Sequence, residues 1–366
     1  MTEGKISSCI VKFALPLIWG SLLQQFYNVA DSLIVGNFVG KEALAAVTSA
    51  GSLIFLLVGF FNGLFVGAGV VISQHFGAGN SDKVKKSVHT AIAFALIVGV
   101  FLTVVGSFLV PHLLRLIQTP EDVFPSSVEY FRIYFYGVIA VVLYNAASGV
   151  FQAVGDSKHP LKFLFISSVL NIVLDLLFVA VFDMGVGGAA WATTISQFVS
   201  ALLCIIVLMR SKDIYRLSLK DVKIDKDSLG SILKMGIPSG VQSSVTALSH
   251  VFVQSSVNAF GSAAIAGNGA YGKVEQFAII SLSCIGNAMA TFIGQNVGAG
   301  EYERAKKGAK CGITLQIVLS EIIGVAVFVA APLLIKMFNR DADVVQMGML
   351  CARVRALFYF LLAFPN

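Results

Sequence analysis

The chain has 366 residues, of which 57% are hydrophobic and only 13% charged, and its mean hydropathy is +0.84. Soluble domains carry about 25% charged residues, so the composition excludes an ordinary soluble protein and points into the membrane. The net charge of +6 is explained by basic residues concentrated in one set of loops, which argues against a nucleic-acid surface.

Runs of about 20 mostly apolar residues, the length a spanning helix needs, fall at 13–36, 48–73, 87–110, 128–152, 161–182, 187–209, 232–258, 271–294, 309–331 and 347–366. They are continuous rather than alternating, which excludes a barrel. The first run is preceded by a short, weakly basic segment, contains Asp31 and has no small-residue cleavage site after it, so it reads as a retained span. With the N-terminus assigned to the cytoplasm, the inside loops hold Lys5, Lys12, Lys83, Lys85, Lys86, Lys158, Lys162, the basic stretch from Arg210 to Lys226, and Arg304, Lys306, Lys307 and Lys310. The outside loops hold only Lys41, Arg115, Arg132, Lys336 and Arg340. This is the positive-inside asymmetry.

The chain repeats itself. Gln74-His75-Phe76-Gly77-Ala78-Gly79, followed by Asp82, Lys83, Lys85 and Lys86, recurs 221 residues later as Gln295-Asn296-Val297-Gly298-Ala299-Gly300 with Glu303, Arg304, Lys306 and Lys307. At the same offset Gly40 maps onto Gly261, Arg132 onto Arg353 and Asn145 onto Asn366, and Pro16 matches Pro238 within one residue. Six spans per half make the repeat parallel, about an axis along the membrane normal, with a central cleft expected between the halves. The expected division is an N-terminal lobe, 1–221, with a basic cytoplasmic linker over about 210–231, and a C-terminal lobe, 222–366. Because Asn145 lies inside the fourth span, the repeat predicts that the second lobe is incomplete: about ten of twelve helices, with roughly 75 residues still to come.

Ionisable groups at membrane depth are costly and need a reason. Asp31 lies in the first span and Asp175 in the fifth, with Asn171 one turn before Asp175 on the same face and Thr193 early in the sixth. Two carboxylates with amide and hydroxyl oxygens make a cage for a hard cation such as sodium; equally, the two acids could share one proton. No metal site is expected beyond such a sodium ion. Asp31 maps near Phe252 and Val253 in the second half, so the ion set is expected in the first half alone. Glu275, near the start of the eighth span, is open between a cargo contact and a packed interface. Tyr27, Tyr144 and Tyr271, with Gln25 and Asn28, are candidate cleft residues, and Pro16 and Pro238 are candidate kinks or hinges in equivalent helices. The five cysteines show no zinc or disulfide spacing. No nucleophile–base pair or metal cluster suggests an enzyme.

In this order and spacing the motifs Val29-Ala30-Asp31 to Val35-Gly36, Gly149 to Lys158 with Pro160, Asn171-Ile172-Val173-Leu174-Asp175, Gly187 to Thr193 with Ser196-Gln197, and Gly294 to Gly300 resemble the multidrug and toxic compound extrusion (MATE) transporters over the whole chain. The resemblance implies an all-α polytopic membrane protein of two six-helix lobes and alternating-access efflux of cationic or amphipathic compounds. It implies inward sodium or proton flow through Asp31, Asn171, Asp175 and Thr193. A monomer in a bacterial inner membrane, with no cofactor and no nucleic-acid partner, is expected. The alternative is a flippase for a lipid-linked or amphipathic metabolite, which would favour Arg and Lys along the cleft; apart from Lys273, Arg353 and Arg355 the spans have few. A membrane-embedded enzyme or a non-transporting receptor ranks below it, the receptor having no need of the Asp31, Asn171 and Asp175 set.

Overall fold

The computed structural model describes residues 1–116, 119–338 and 341–363; over 41–42, 44–58, 251, 255, 258, 262 and 363 it describes the backbone alone. Arg340, Asn366 and the Lys41 side chain lie outside the described residues.

Among the described residues the chain is helical without strands: α1 (Ile6–Phe38), α2 (Lys41–Gly77), α3 (Ser81–Leu116), α4 (Phe124–Ala153), α5 (Lys158–Asp175), α6 (Gly185–Arg210), α7 (Lys226–Asn258), α8 (Ser262–Gly298), α9 (Tyr302–Lys336) and α10 (Ala342–Ala356). Among the described residues, seven helices are long and apolar enough to cross a membrane: α1, α3, α4, α5 with its continuation to Val181, α6, α8 and α9. Lipid offers no partner to a backbone amide, so a helix that makes all its bonds internally is the form these runs must take. The long but more polar α7 answers the same constraint with its side chains. Ser231, Ser239, Ser243, Ser244, Ser249 and Ser256 each donate to the carbonyl four residues back.

The sequence repeat is a structural repeat. α1 and α7 both have 33 residues, and α2 and α8 both have 37. The repeated Gly-Ala-Gly segments close α2 and α8 with the same turn. Asn80 N donates to His75 O (3.1 Å) and Gly79 N to Phe76 O (3.0 Å); Glu301 N donates to Asn296 O (2.9 Å) and Gly300 N to Val297 O (3.1 Å). This Schellman closure needs a left-handed residue, which glycine adopts without a Cβ penalty; Gly79 has φ 66° and Gly300 φ 80°.

The contacts divide the chain into two compact units, Met1–Ile18 with Val245–Asn366, and Trp19–Ser244. The division falls inside α1 and α7. In the first unit, Ile10, Phe13 and Ala14 of α1 pack with Ile285, Ala288 and Phe292 of α8. A second cluster joins α8, α9 and α10 through Ala270, Tyr271, Val327, Ile335 and Val345. In the larger unit α2, α3, α4 and α6 share one apolar core that includes Phe65, Ile92, Phe135, Val150 and Cys204. The linker into α7 is tied to α3: Ser218 N donates to His89 Nε2 and Asp225 N to Thr90 Oγ1, both at 3.0 Å. Asp225 then receives the amide and hydroxyl of Ser228 at 2.9 and 2.8 Å, which holds its carboxyl below the usual carboxylate range.

Within the larger unit α2 and α7 cross backbone to backbone. Gly63 and Gly67 on α2 meet Gly240 and Gly236 on α7, two small-xxx-small faces in register, and a Cβ on either α2 glycine would collide with the facing α7 backbone. Pro238 lies between the two α7 glycines. At the repeat offset, Gly63 and Gly67 become Cys284 and Ala288, and Ala288 packs against α1 with Ala14. The first-repeat crossing is therefore the tighter of two related ones. Gly67→Ala is expected to destabilise the purified protein by about 1–3 kcal/mol through overpacking, whereas Ala288→Gly costs only about 1 kcal/mol of helix propensity. Thermal unfolding in detergent measures both, and an equal effect would contradict the difference in spacing.

Candidate ion-binding site

The larger unit brings the four predicted ion-coupling residues together from three helices. Asp31 is in the penultimate stretch of α1, Asn171 and Asp175 are one turn apart at the end of α5, and Thr193 lies on α6. Asp175 is fully buried, Asn171 is 1% exposed and Asp31 7%. Asn171 donates its amide Nδ2 to Thr193 Oγ1 at 3.3 Å, tying α5 to α6. Asp31 and Asp175 lie within electrostatic reach of each other. Among the described residues neither is paired with Lys or Arg.

Four oxygens here are buried without a donor among the described residues: Asp31 Oδ1, Asn171 Oδ1 and both carboxylate oxygens of Asp175. A buried acceptor with no partner forfeits its solvation, and a buried unpaired carboxylate forfeits several kcal/mol. Four acceptors at one place, with no donor aimed at them, form a site of negative potential whose complement is a cation or protons. Thr193 has a further contact beside its reading as a ligand. Its hydroxyl accepts from Asn171 Nδ2, so it fixes which end of that amide is left free, and the free end is the oxygen.

Local backbone supports the placement of Asp175. Directly after it the helix widens into a π-helical segment, Leu176–Val181, and closes with Phe182 N on Leu177 O (2.9 Å). Such segments occur at functional sites because they re-aim side chains without ending the helix. The adjoining Asp183 takes a left-handed φ of 52°.

Three supporting residues were absent from the predicted set. Gln197 Nε2 donates to the Tyr27 hydroxyl at 3.4 Å, a second tie between α1 and α6. Gln197 is one turn beyond Thr193 and Tyr27 one turn before Asp31, so helical spacing alone relates each to the site. Tyr130 on α4, 6% exposed, is within electrostatic reach of both carboxylates, and no spacing signal links it to them. Thr194 donates to Ile133 O at 3.3 Å, seating α6 on α4.

The other predicted residues lie as follows. Tyr27 is buried beside the ion set. Gln25 is half-buried and accepts from the exposed Asn28 at 3.1 Å. Tyr144 is half-buried against the apolar core and donates to Pro160 O at 3.4 Å. Pro16 and Pro238 lie inside α1 and α7. Tyr271 and Glu275 belong to a polar network in the smaller unit. Glu275 Oε2 pairs with Arg355 at 3.0 Å, and Glu275 Oε1 accepts from the Tyr271 hydroxyl at 2.9 Å. Tyr271 meets the Tyr359 hydroxyl at 2.9 Å, and Arg355 also donates to Asn268 Oδ1 at 3.0 Å. The guanidinium stacks 5.2 Å from the Tyr271 ring centroid. Both oxygens of Glu275 are thus engaged, unlike those of Asp175. Arg355→Ala is expected to cost about 2 kcal/mol, less than a fully buried pair because a third of its side chain is exposed. Replacing both Arg355 and Glu275 by Leu should cost less than the single change; a larger loss in the double variant would mean the pair is not what Arg355 stabilises.

Comparison with known proteins agrees with this architecture. The family model MatE matches residues 16–177 and 238–366. The chain is 32% identical over 338 residues to the "Probable multidrug resistance protein YoeA" of Bacillus subtilis, covering 90% of this chain and 73% of that protein. It is 31% identical to YpnP of the same organism, over 98% of this chain and 80% of that one, and 26% identical to the multidrug export protein MepA of Staphylococcus saprophyticus, over 96% and 78%. A crystal structure of a MATE protein in complex with MaL6 superposes with a TM-score of 0.91 at 24% identity, covering 99% of this chain and 81% of that one, which shows a shared fold. With the family model matching most of the chain and two relatives above 30% identity over nearly all of it, this all-helical membrane protein belongs to the MatE family of multidrug and toxic compound extrusion transporters.

Proposed function

We propose that the protein is a secondary exporter of organic cationic or amphipathic compounds, driven by inward flow of sodium ions or protons, in a bacterial cytoplasmic membrane with its N-terminus inside. The observation that carries this reading is the set of four buried, donorless oxygens on Asp31, Asn171 and Asp175. A permanent structural role would supply those acceptors with donors; a site that fills and empties each cycle leaves them free in one of its states. Family membership and the names of the relatives, multidrug resistance and multidrug export, support efflux as the output. The basic loops support the orientation. The coupling ion is the only cofactor-like partner in this reading, no enzymatic step is invoked, and a monomer suffices because all the ion-set residues lie in one unit.

The residues act in named roles. Asp31 and Asp175 bring two negative charges to within reach of one ion, Asn171 Oδ1 adds a neutral ligand, and Thr193 holds that amide in its orientation. A sodium ion draws on several oxygens at once, in the manner of hard cations. A proton satisfies one acceptor and relieves the repulsion between the acids. Either ion removes net negative charge from the interface of α1, α5 and α6, and the free energy so gained in one conformation and not the other is what biases an alternating-access cycle. A lipid-linked pyrophosphate cargo is the weaker alternative, because Arg355 is already committed to Glu275 and Asn268.

Ethidium efflux from vesicles, under separately imposed sodium and proton gradients, tests the assignment. Asp31→Asn and Asp175→Asn should each abolish gradient-driven export while the protein remains folded in the membrane. Thr193→Ala should weaken sodium-driven export about 10-fold, as loss of a ligand-orienting partner does, and should affect proton-driven export less. Undiminished export in both Asp variants would remove the ion set from the mechanism.

A further inference from the structure

α1 and α5 leave an open groove of about 550 Å³ between them, walled by Trp19 and Leu23 on one side and Leu161, Lys162, Phe165 and Ile166 on the other. Next to Trp19, Gly20 approaches α5: a Cβ there would lie 3.5 Å from Leu161 and Leu164. Trp19 is 59% exposed and Phe165 52%, so these walls are open to whatever fills the groove. The lining is wholly apolar, Lys162 contributing its aliphatic stem while the side chain as a whole is exposed, and the exposed Lys158 lies one turn earlier on the same face of α5. The nearest carboxylate in sequence does not neutralise them. Asp156 is held by the His159 ring and by the amides of Lys158 (3.0 Å) and His159 (3.2 Å), and neither lysine is ion-paired among the described residues.

From this geometry we infer that the groove seats an acyl chain of an anionic phospholipid of the cytoplasmic leaflet, with the lipid phosphate held by Lys162 and Lys158. This rests on the membrane orientation given above. The apolar walls match a hydrocarbon chain, and a tryptophan with lysines at the mouth of such a groove is the side-chain set of the membrane interface. Charge decides the headgroup. Two ammonium groups attract an anionic lipid over a zwitterionic one and repel the cationic compounds assigned as cargo, so the groove is not their entrance. The site has a direct route to the ion set. Its walls are the two helices that carry Asp31 and Asp175, which lie 12 and 13 residues beyond Trp19 and Lys162, about 18–20 Å along each helix. A chain wedged between α1 and α5 fixes their spacing at the groove, and through it the approach of the two carboxylates.

Native mass spectrometry of the full chain, released from mixed micelles containing equal phosphatidylglycerol and phosphatidylcholine of matched acyl chains, reads the site without any transport step. Wild type is expected to retain phosphatidylglycerol over phosphatidylcholine by about tenfold. Lys158→Gln combined with Lys162→Gln should erase the preference while thermal stability is kept, and the groove-filling Leu23→Trp should lower retention of both lipids. Asp31→Asn should keep the preference, which separates this inference from the ion-coupling assignment. Equal retention of the two lipids by wild type, or an unchanged preference in the double lysine variant, would overturn the proposal. Displacement of the lipid by glycerol phosphate alone would also overturn it, because the acyl seat would then contribute nothing. So would preferential retention of tetraphenylphosphonium, which would make the groove a cargo entrance.

Discussion

Two buried carboxylates, unpaired with Lys or Arg among the described residues, are the constraint around which the larger unit is organised. Burying Asp31 and Asp175 opposes folding, and the surrounding structure must hold them there. It does so with ties between helices: Asn171 to Thr193, Tyr27 to Gln197 and Thr194 to the α4 backbone. These bonds satisfy the neighbours and leave the acid oxygens free. A structure that stored the same carboxylates for stability would pair them, as the smaller unit pairs Glu275 with Arg355. Among the described residues, a satisfied acid in one unit and unsatisfied acids in the other make a clear asymmetry between the two units.

That asymmetry is set on a background of symmetry. The two repeats share helix lengths, the glycine closure before each basic loop, and a proline in the first helix. They differ where packing is tightest. The α2–α7 crossing uses four glycines and brings backbones into contact, while the related positions in α8 are Cys284 and Ala288, of which Ala288 packs with α1. Small residues permit such an approach because, between lipid-embedded helices, association depends on close packing rather than on expulsion of water. α1 and α7 each begin in one unit and end in the other, so both Pro16 and Pro238 lie on stretches of helix close to a change of partner.

The groove between α1 and α5 belongs to the same logic. These two helices carry the acids, and toward their N-terminal ends Gly20 of α1 approaches Leu161 and Leu164 of α5. A hydrocarbon chain beside that contact would complete packing that the protein leaves to the bilayer, and Lys158 and Lys162, not ion-paired among the described residues, would favour an anionic headgroup.

Much of this was legible in the sequence. The continuous apolar runs dictate helices, because no other unclosed backbone arrangement satisfies its hydrogen bonds in lipid. The 221-residue offset gives the parallel repeat, and Asp31, Asn171, Asp175 and Thr193 stand out because polar groups at that depth are expensive. Tertiary structure alone decided what those groups meet. Helical spacing relates residues on one helix face, but the partner across a crossing depends on helix rotation and tilt, which a single chain's periodicity leaves free. Hence Thr193 proves to orient Asn171, Tyr130 arrives beside both acids from α4, and Glu275, open between cargo and interface in the sequence, is held by an arginine 80 residues away.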